Sequence, residues 1–237
     1  MKKKFFNKSY GISIDKYKKI NKIIKKNNIS KFELITNYGL YSGDTNLFKT
    51  LTIYDLIKSI KNTKGDIIEF GVWKGNTSML IKKILDIYKI KKKIYLFDHF
   101  KGLTHYSKKD TNYPLKWKNQ YIGRKSDILK LINFFNLKRI EIIDKDATKL
   151  EKNFFKNKKF CLAIIDVYLY EPTKKILNSI KNNITKNGLI VFDEGNDKHF
   201  PGEAKAMEEF FQNNRKEYKK TMIPFSRQPD VILQKKK

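Results

Sequence analysis

The stretch Gly65-Asp-Ile-Ile-Glu-Phe-Gly-Val-Trp-Lys-Gly-Asn-Thr-Ser78 decides how the rest of this 237-residue chain is read. A short apolar run ends in an acid, a glycine turn follows, and small polar residues suited to a helix start come next. Gly71 allows a sharp bend beside a ligand, Gly75 allows close approach, and Asn76 or Thr77 can cap the helix. The turn departs from the dinucleotide fingerprint, because Trp73 replaces the middle glycine and the third is missing. An indole there obstructs a pyrophosphate, and Glu69 repels phosphate while welcoming an ammonium group. The implied ligand has a cationic end and no phosphate. S-adenosylmethionine, with its α-amino group and sulfonium, fits both demands.

Working outward, the same pattern recurs. Ile67-Ile-Glu-Phe-Gly, Ile94-Tyr-Leu-Phe-Asp, Ile140-Glu-Ile-Ile-Asp, Leu162-Ala-Ile-Ile-Asp and Leu189-Ile-Val-Phe-Asp are five short apolar runs closing on an acid or a glycine. Helical spacing separates them: Met79, Leu80, Ile84 and Ile87; Ile128 to Phe135; Ile176, Leu177, Ile180 and Ile184; Ala206, Met207, Phe210 and Phe211. Continuous apolar strands belong to a sheet covered on both faces, and strand–helix alternation implies parallel crossovers. Segments around Met222 and Val231 can close the sheet as a terminal hairpin. The fold class is α/β, a doubly wound, mostly parallel sheet. Residues 1–45 form an N-terminal helical extension, with a stripe of Ile20, Ile23 and Ile24, and residues 46–237 form the catalytic domain. Ile53, Leu56, Ile57 and Ile60 predict an amphipathic helix from Thr52, capped by Thr50 or Thr52.

Composition bounds the rest. One cysteine, Cys161, excludes a disulfide framework and a cysteine-based zinc site, and it reads as a core thiol. No apolar run approaches a membrane span, and lysines interrupt the start of the chain, so a cytoplasmic globular protein is expected. Lysine and arginine number 52 against 24 acids, a net charge of +28. Such charge can serve a polyanion partner. Here it is almost all lysine, spread along the chain with isoleucine and asparagine, as an AT-rich genome writes by default. Nucleic acid is therefore the weaker partner expectation, and a small-molecule substrate the stronger.

In a doubly wound sheet, ligands bind beyond the carboxyl ends of the strands. Those ends carry Glu69, Asp98, Asp144, Asp166 and Asp193. Asp98 stands where an acid can accept both ribose hydroxyls, with His99, Phe100 and Gly102 following. Asp146 would meet an adenine amino group, with the Ala147 backbone beside the ring. Between Leu103 and Ser126 lies an insert holding His105, Tyr106, Tyr113, Trp117 and Tyr121. It reads either as a lid over a sugar or as a loop whose aromatics pack on their own domain.

Glu69-Phe-Gly-Val-Trp-Lys-Gly, Asp98-His-Phe-Lys-Gly-Leu, Asp166-Val-Tyr-Leu-Tyr-Glu-Pro-Thr, Phe192-Asp-Glu-Gly-Asn and Phe200-Pro-Gly-Glu resemble the macrocin O-methyltransferase (TylF-type) family over roughly residues 40 to 212. The resemblance implies a class I S-adenosylmethionine-dependent methyltransferase acting on a sugar, nucleotide-sugar or glycan hydroxyl. It implies a seven-stranded sheet with the last strand antiparallel. Cofactor contacts would fall at Glu69, Gly71, Trp73, Gly75 and Asp98 to Gly102, with adenine at Asp146 and Ala147. Tyr41, Ser42 and Ser126 are looser matches to further cofactor positions. The resemblance also implies a magnesium ion held by Asp166, Asp193 and Glu194, hard oxygen ligands from two strand ends. Two departures stand out: Tyr168 replaces an acid of the family's Asp-x-Asp, and Glu194 replaces an aspartate. Asp166 is the candidate base and His199 the second, although a histidine in a polar loop is more often simply solvated. A methyltransferase-fold protein acting on RNA or another polyanion, and a non-enzymatic or NAD-binding sheet, are the competing readings. Assembly as a homo-oligomer stays open.

Overall fold

The computed structural model describes residues 22, 24–36, 44–118, 120–224, 226 and 228–236. A short helix α1 (Lys31–Thr36) and a long helix α2 (Asp44–Ile60) precede the first strand, β1 (Asp66–Phe70). Then follow α3 (Asn76–Ile87), β2 (Ile94–Asp98), α4 (Asn112–Leu115), α5 (Lys125–Phe134) and β3 (Ile140–Asp144). After a 3-10 turn at Ala147–Lys149 come β4 (Phe160–Ile165), α6 (Tyr170–Ile180), β5 (Ile184–Phe192), α7 (Pro201–Asn213), β6 (Tyr218–Met222) and β7 (Val231–Lys235).

The strands form one seven-stranded sheet in the order β3-β2-β1-β4-β5-β7-β6. β1 pairs in parallel with β2 and β4, and β4 with β5, while β7 runs antiparallel to both β5 and β6. The expected architecture, terminal hairpin included, is the observed one. Strand order reverses between β1 and β4, which opens a crevice at their carboxyl ends.

Both faces of the sheet are covered. Ile68, Phe70, Phe97 and Phe192 pack under α6 and α7 through Ile176, Leu177, Met207 and Phe210. Ile67, Leu96, Ile164 and Val191 pack against α2 and α3 through Ile53, Ile57, Ile81 and Leu85. Every residue of β4 is buried, Cys161 included, so the strand shows a continuous apolar run instead of alternation. Each large aliphatic side chain buried this way contributes roughly 1.5–3 kcal/mol.

Three local expectations need correction. α2 begins at Asp44, so Thr50 and Thr52 are interior and the boundary expected at 45/46 falls in its first turn. Nothing between Asp44 and Thr52 breaks a helix, so the segment continues upstream of its buried stripe. Ile184 opens β5 and does not belong to α6, since the chain turns at residues 181–183. Gly75, with φ 82°, takes the N-cap position of α3, and no side-chain cap is made by Asn76 or Thr77. Of the N-terminal stripe, Ile20 and Ile23 lie outside the described residues.

Candidate active site

The first strand end is closed by backbone geometry. Gly71 has φ 87°, and a Cβ there would collide with the carbonyl oxygen of Asp166. β1 and β4 approach so closely at the crevice because the Asp166 N–H bonds to the Phe70 carbonyl at 2.9 Å. Gly71 is thus the close-approach glycine. At Gly75 there is room for a side chain, and the left-handed backbone is what favours glycine. Gly71 also makes the bend expected of it, while the close approach expected at Gly75 falls at Gly71.

Asp98 organises the turn. Its Oδ2 accepts from the Val72 and Trp73 N–H groups, each at 2.8 Å, and its Oδ1 from the Phe100 N–H at 2.6 Å. Three charge-assisted bonds hold Trp73 (φ 49°) and Phe100 (φ 59°) in the left-handed region, at the rim of the cleft. Asp98 still lines the cleft, together with Gly71, Trp73, His99, Gly102, Asp146, Ala147 and Asp166. Apart from Asp166, expected as a metal ligand, those are seven of the twelve residues expected to hold the cofactor, brought together from the ends of β1 to β3.

On the β3 side, Asp146 caps the 3-10 turn through Thr148 N and Oγ, at 2.9 and 2.7 Å, and meets His105 Nε2 at 2.7 Å. Partial burial pushes its carboxyl pKa up, but the Thr148 and His105 bonds outweigh this and leave it below the usual value. His105 comes from the 103–126 insert. The insert's aromatics pack on the domain: Trp117 stacks on Tyr121 at 5.5 Å, and Tyr121 stacks on Tyr168 at 5.1 Å and meets Trp73 edge-on at 5.6 Å. Asp110 fastens the insert by accepting from the Tyr170 N–H at 3.0 Å, at the start of α6. Tyr121 and Tyr168 line the cleft, so the packed loop is also one of its walls. Tyr168, which stands where an acid was expected, contributes a ring to this wall.

The β4 and β5 ends carry a different chemistry. Asp166, Asp193 and Glu194 offer carboxylate oxygens that all lie within 4.8 Å of one another. Among the described residues, Asp193 Oδ1 and Glu194 Oε2 are buried without a hydrogen-bond partner, while Gln228 donates to the other Glu194 oxygen. Lys49, from α2, places its Nζ 2.8 Å from Asp193 Oδ2 and 3.8 Å from Asp166 Oδ2. Burial alone would lower the Lys49 pKa, but Asp193 and Asp166 overcome it and hold the ammonium above its ordinary value. Burial, then the neighbouring carboxylates, push Asp166 and Glu194 well above the usual carboxylate range. Beneath them, the fully buried Glu203 accepts from the N–H groups of Val167, Tyr168 and Glu194 at 3.2, 3.1 and 3.0 Å. It ties the β4 end to the β5 end, and burial raises its pKa to about 8.

The donor set suits a small divalent cation: three hard carboxylate oxygens, two of the groups with an orphaned oxygen, and a surplus of buried acid over one lysine. Asp166 belongs to this cluster and also lines the cleft.

Other expected residues lie further out. Glu69 is 2% exposed, accepts from the Ser78 hydroxyl of α3, and sits behind the turn; burial lifts its pKa to about 8. Ser126 is exposed in the first turn of α5, away from the cleft lining. His199 is an exposed ring against Tyr113 at 4.7 Å and does not line the cleft. Tyr41 and Ser42 lie outside the described residues. Sequence reasoning missed Lys49, Glu203 and the His105–Asp146 pair. No helix among the described residues is long and apolar enough to cross a membrane.

Solved structures share this architecture. CalS11, described as a calicheamicin methyltransferase, superposes with a TM-score of 0.78 at 21% identity over 94% of this chain and 93% of its own. The O-methyltransferase NovP gives 0.68 at 16% identity over 80% of each chain. The SAH-bound methyltransferase PaMTH1 of Podospora anserina gives 0.50 at 15% identity over 76% of this chain and 75% of its own. At these identities the likeness speaks for the fold. No curated protein matches the sequence. The family model of macrocin O-methyltransferase (TylF) matches residues 51–223, a span that contains the turn, the Asp98 and Asp146 segments and the acidic strand ends. By that match, the chain belongs to the macrocin O-methyltransferase (TylF) family, enzymes that use S-adenosylmethionine.

Proposed function

We propose that this methyltransferase methylates a hydroxyl of a sugar, nucleotide sugar or glycan, with a divalent cation, magnesium, held by Asp166, Asp193 and Glu194. The observation that carries the reading is the double membership of Asp166, which faces the cleft and belongs to the carboxylate cluster. A transferred methyl and an acceptor hydroxyl must meet in line, and among the described residues only Asp166 belongs to both compartments. CalS11, described as a TDP-rhamnose 3'-O-methyltransferase, supports a sugar acceptor.

In this reading Trp73, Asp98 and Gly102 hold the nucleoside and amino-acid ends of the cofactor, and Asp146 with the Ala147 backbone faces the adenine. Three of the roughly four lone-pair sites of Asp98 are taken by backbone N–H groups, which leaves room to accept from one ribose hydroxyl and not both. Tyr121 and Tyr168, backed by the buried Trp117, wall the cleft against water and give a sugar ring aromatic surface to lie against. The carbon–sulfur bond breaks as the carbon–oxygen bond forms, the sulfonium leaves as a neutral thioether, and the hydroxyl proton passes to Asp166. Asp166 is placed for this role because it faces the cleft from within the carboxylate cluster. A divalent cation in the carboxylate cluster would supply Lewis acidity that lowers the pKa of the acceptor hydroxyl.

The test is calorimetry with S-adenosylmethionine, then turnover on TDP-sugars with magnesium or with EDTA. Micromolar cofactor binding and turnover that EDTA abolishes and magnesium restores are expected. Full turnover in EDTA would remove the cation from this function, and a steep salt dependence of RNA binding would replace the sugar with a polyanion.

A further inference from the structure

The Lys49 ammonium reaches the carboxylate cluster from α2, 144 residues away in sequence from Asp193, and pairs with two of the three groups that would hold a divalent cation. Asp193 is 3% exposed, so its negative charge has little water to stabilise it and requires a cation from the protein. We propose that Lys49 is a resident cation that holds the carboxylates in place and is displaced from Asp193 when a divalent cation enters. This inference rests on the reading of Asp166, Asp193 and Glu194 as cation ligands.

Electrostatics and geometry argue for exchange over coexistence. Lys49 Nζ takes Asp193 Oδ2 at hydrogen-bond distance, on one of the three carboxylates whose ligand oxygens lie within 4.8 Å of one another. A divalent cation collecting those oxygens would stand a few ångströms from an ammonium, and like charges that close repel strongly in a partly buried site. The lysine can leave, because its side chain is 23% exposed and its four-carbon stem is flexible. Two cluster oxygens remain orphaned with Lys49 in place, so one positive charge does not complete the site.

The consequence is a measurable competition. Mn2+ is the probe, with its free concentration followed by electron paramagnetic resonance and no turnover required. Lys49→Met, which keeps the apolar stem, should bind Mn2+ at least about tenfold tighter than wild type, since one charge-assisted hydrogen bond no longer has to be broken. Lys49→Arg, which keeps the charge, should stay within about threefold of wild type. In metal-free buffer Lys49→Met should melt below wild type and regain the difference as Mn2+ saturates it, by linkage. In the wild-type protein, labelling of the Lys49 amine by formaldehyde and borohydride, read by mass spectrometry, should rise several-fold at saturating Mn2+. This last measurement does not depend on any variant folding.

A lysine that only supports the fold would lower the melting temperature without tightening Mn2+ binding. Equal Mn2+ affinity in wild type and Lys49→Met, with unchanged Lys49 labelling, overturns the exchange and leaves the carboxylate site standing. Binding of Mn2+ to neither protein overturns both, and Lys49 is then the permanent cation of the cluster.

Discussion

Asp98, at the end of β2, and Asp193, just past the end of β5, sit at comparable heights in the same sheet, but their surroundings are opposite. Asp98 has both oxygens engaged by three backbone N–H groups, and its bonds build the turn that frames the cofactor cleft. Asp193 leaves Oδ1 without a partner and turns Oδ2 to a lysine side chain from another helix. The same contrast divides the whole crevice. On the β1–β3 side, Asp146 likewise bonds Thr148 and His105. On the β4–β5 side, Glu194 keeps a buried oxygen orphaned. Acids whose lone pairs are occupied by the fold shape a cleft, whereas acids left unsatisfied by the fold call for a mobile partner such as a proton, an ammonium or a metal ion. Glu203 marks the border: it is buried beneath the second group but satisfied by three N–H donors, like the first.

The sharpest way to break the comparison is Asp166→Asn, which removes a carboxylate shared by cleft and cluster. Turnover should fall by roughly 10²–10⁴-fold, as for loss of a general base, while cofactor affinity changes little. Steady-state kinetics beside cofactor titration checks this, and survival within tenfold would move the base elsewhere. Gly71→Ala comes next. With φ 87° and the Asp166 carbonyl in the way, the variant should lose about 3 kcal/mol or more of stability by urea unfolding. An unchanged midpoint would mean that β1 and β4 do not meet so closely. Asp98→Ala strands three backbone donors at the turn, and about 2–3 kcal/mol is the expected loss, together with at least tenfold weaker S-adenosylhomocysteine binding by calorimetry. Cofactor binding at wild-type strength would show that Asp98 serves the turn alone.

The smallest expected effect concerns pH. Burial lifts the Glu69 carboxyl to about 8, above its ordinary 4.5, so the folded state holds a proton that the unfolded chain releases. Its contribution to stability is therefore fully present below about pH 4.5 and is lost as pH rises towards 8. Between pH 5 and 7 this should cost the wild type about 2 kcal/mol relative to Glu69→Gln, whose unfolding profile should be flatter. Parallel profiles for the two proteins would show that Glu69 is ionised behind the turn, and the division of the crevice would lose its buried member on the β1 side.

The sheet was legible in the sequence because each strand carried its own local signal. β4 is an apolar run bounded by polar residues, and the helices between strands repeat at helical spacing, so composition over a few residues was enough to set order and class. The glycine turn was legible for the same reason, although the close approach belongs to Gly71 and not to Gly75: close approach depends on what lies opposite, here the end of β4. Lys49 could not be found. In a chain with 52 basic residues one more lysine on an amphipathic helix carries no signal, and its partner is 144 residues away. Glu203 lay in a recognised motif, Phe200-Pro-Gly-Glu, but an acid in a first helical turn after proline reads as helix-start chemistry. Its three donors come from the loops after β4 and β5, which only folding brings together.

By itself the sequence determined the doubly wound sheet, the family resemblance and the acids at the strand ends. These follow from short-range patterns of burial and turn chemistry. Only the tertiary structure decided which of those acids are satisfied and which are left needing a cation. That depends on hydrogen-bond partners supplied by distant segments, and burial makes each missing partner costly.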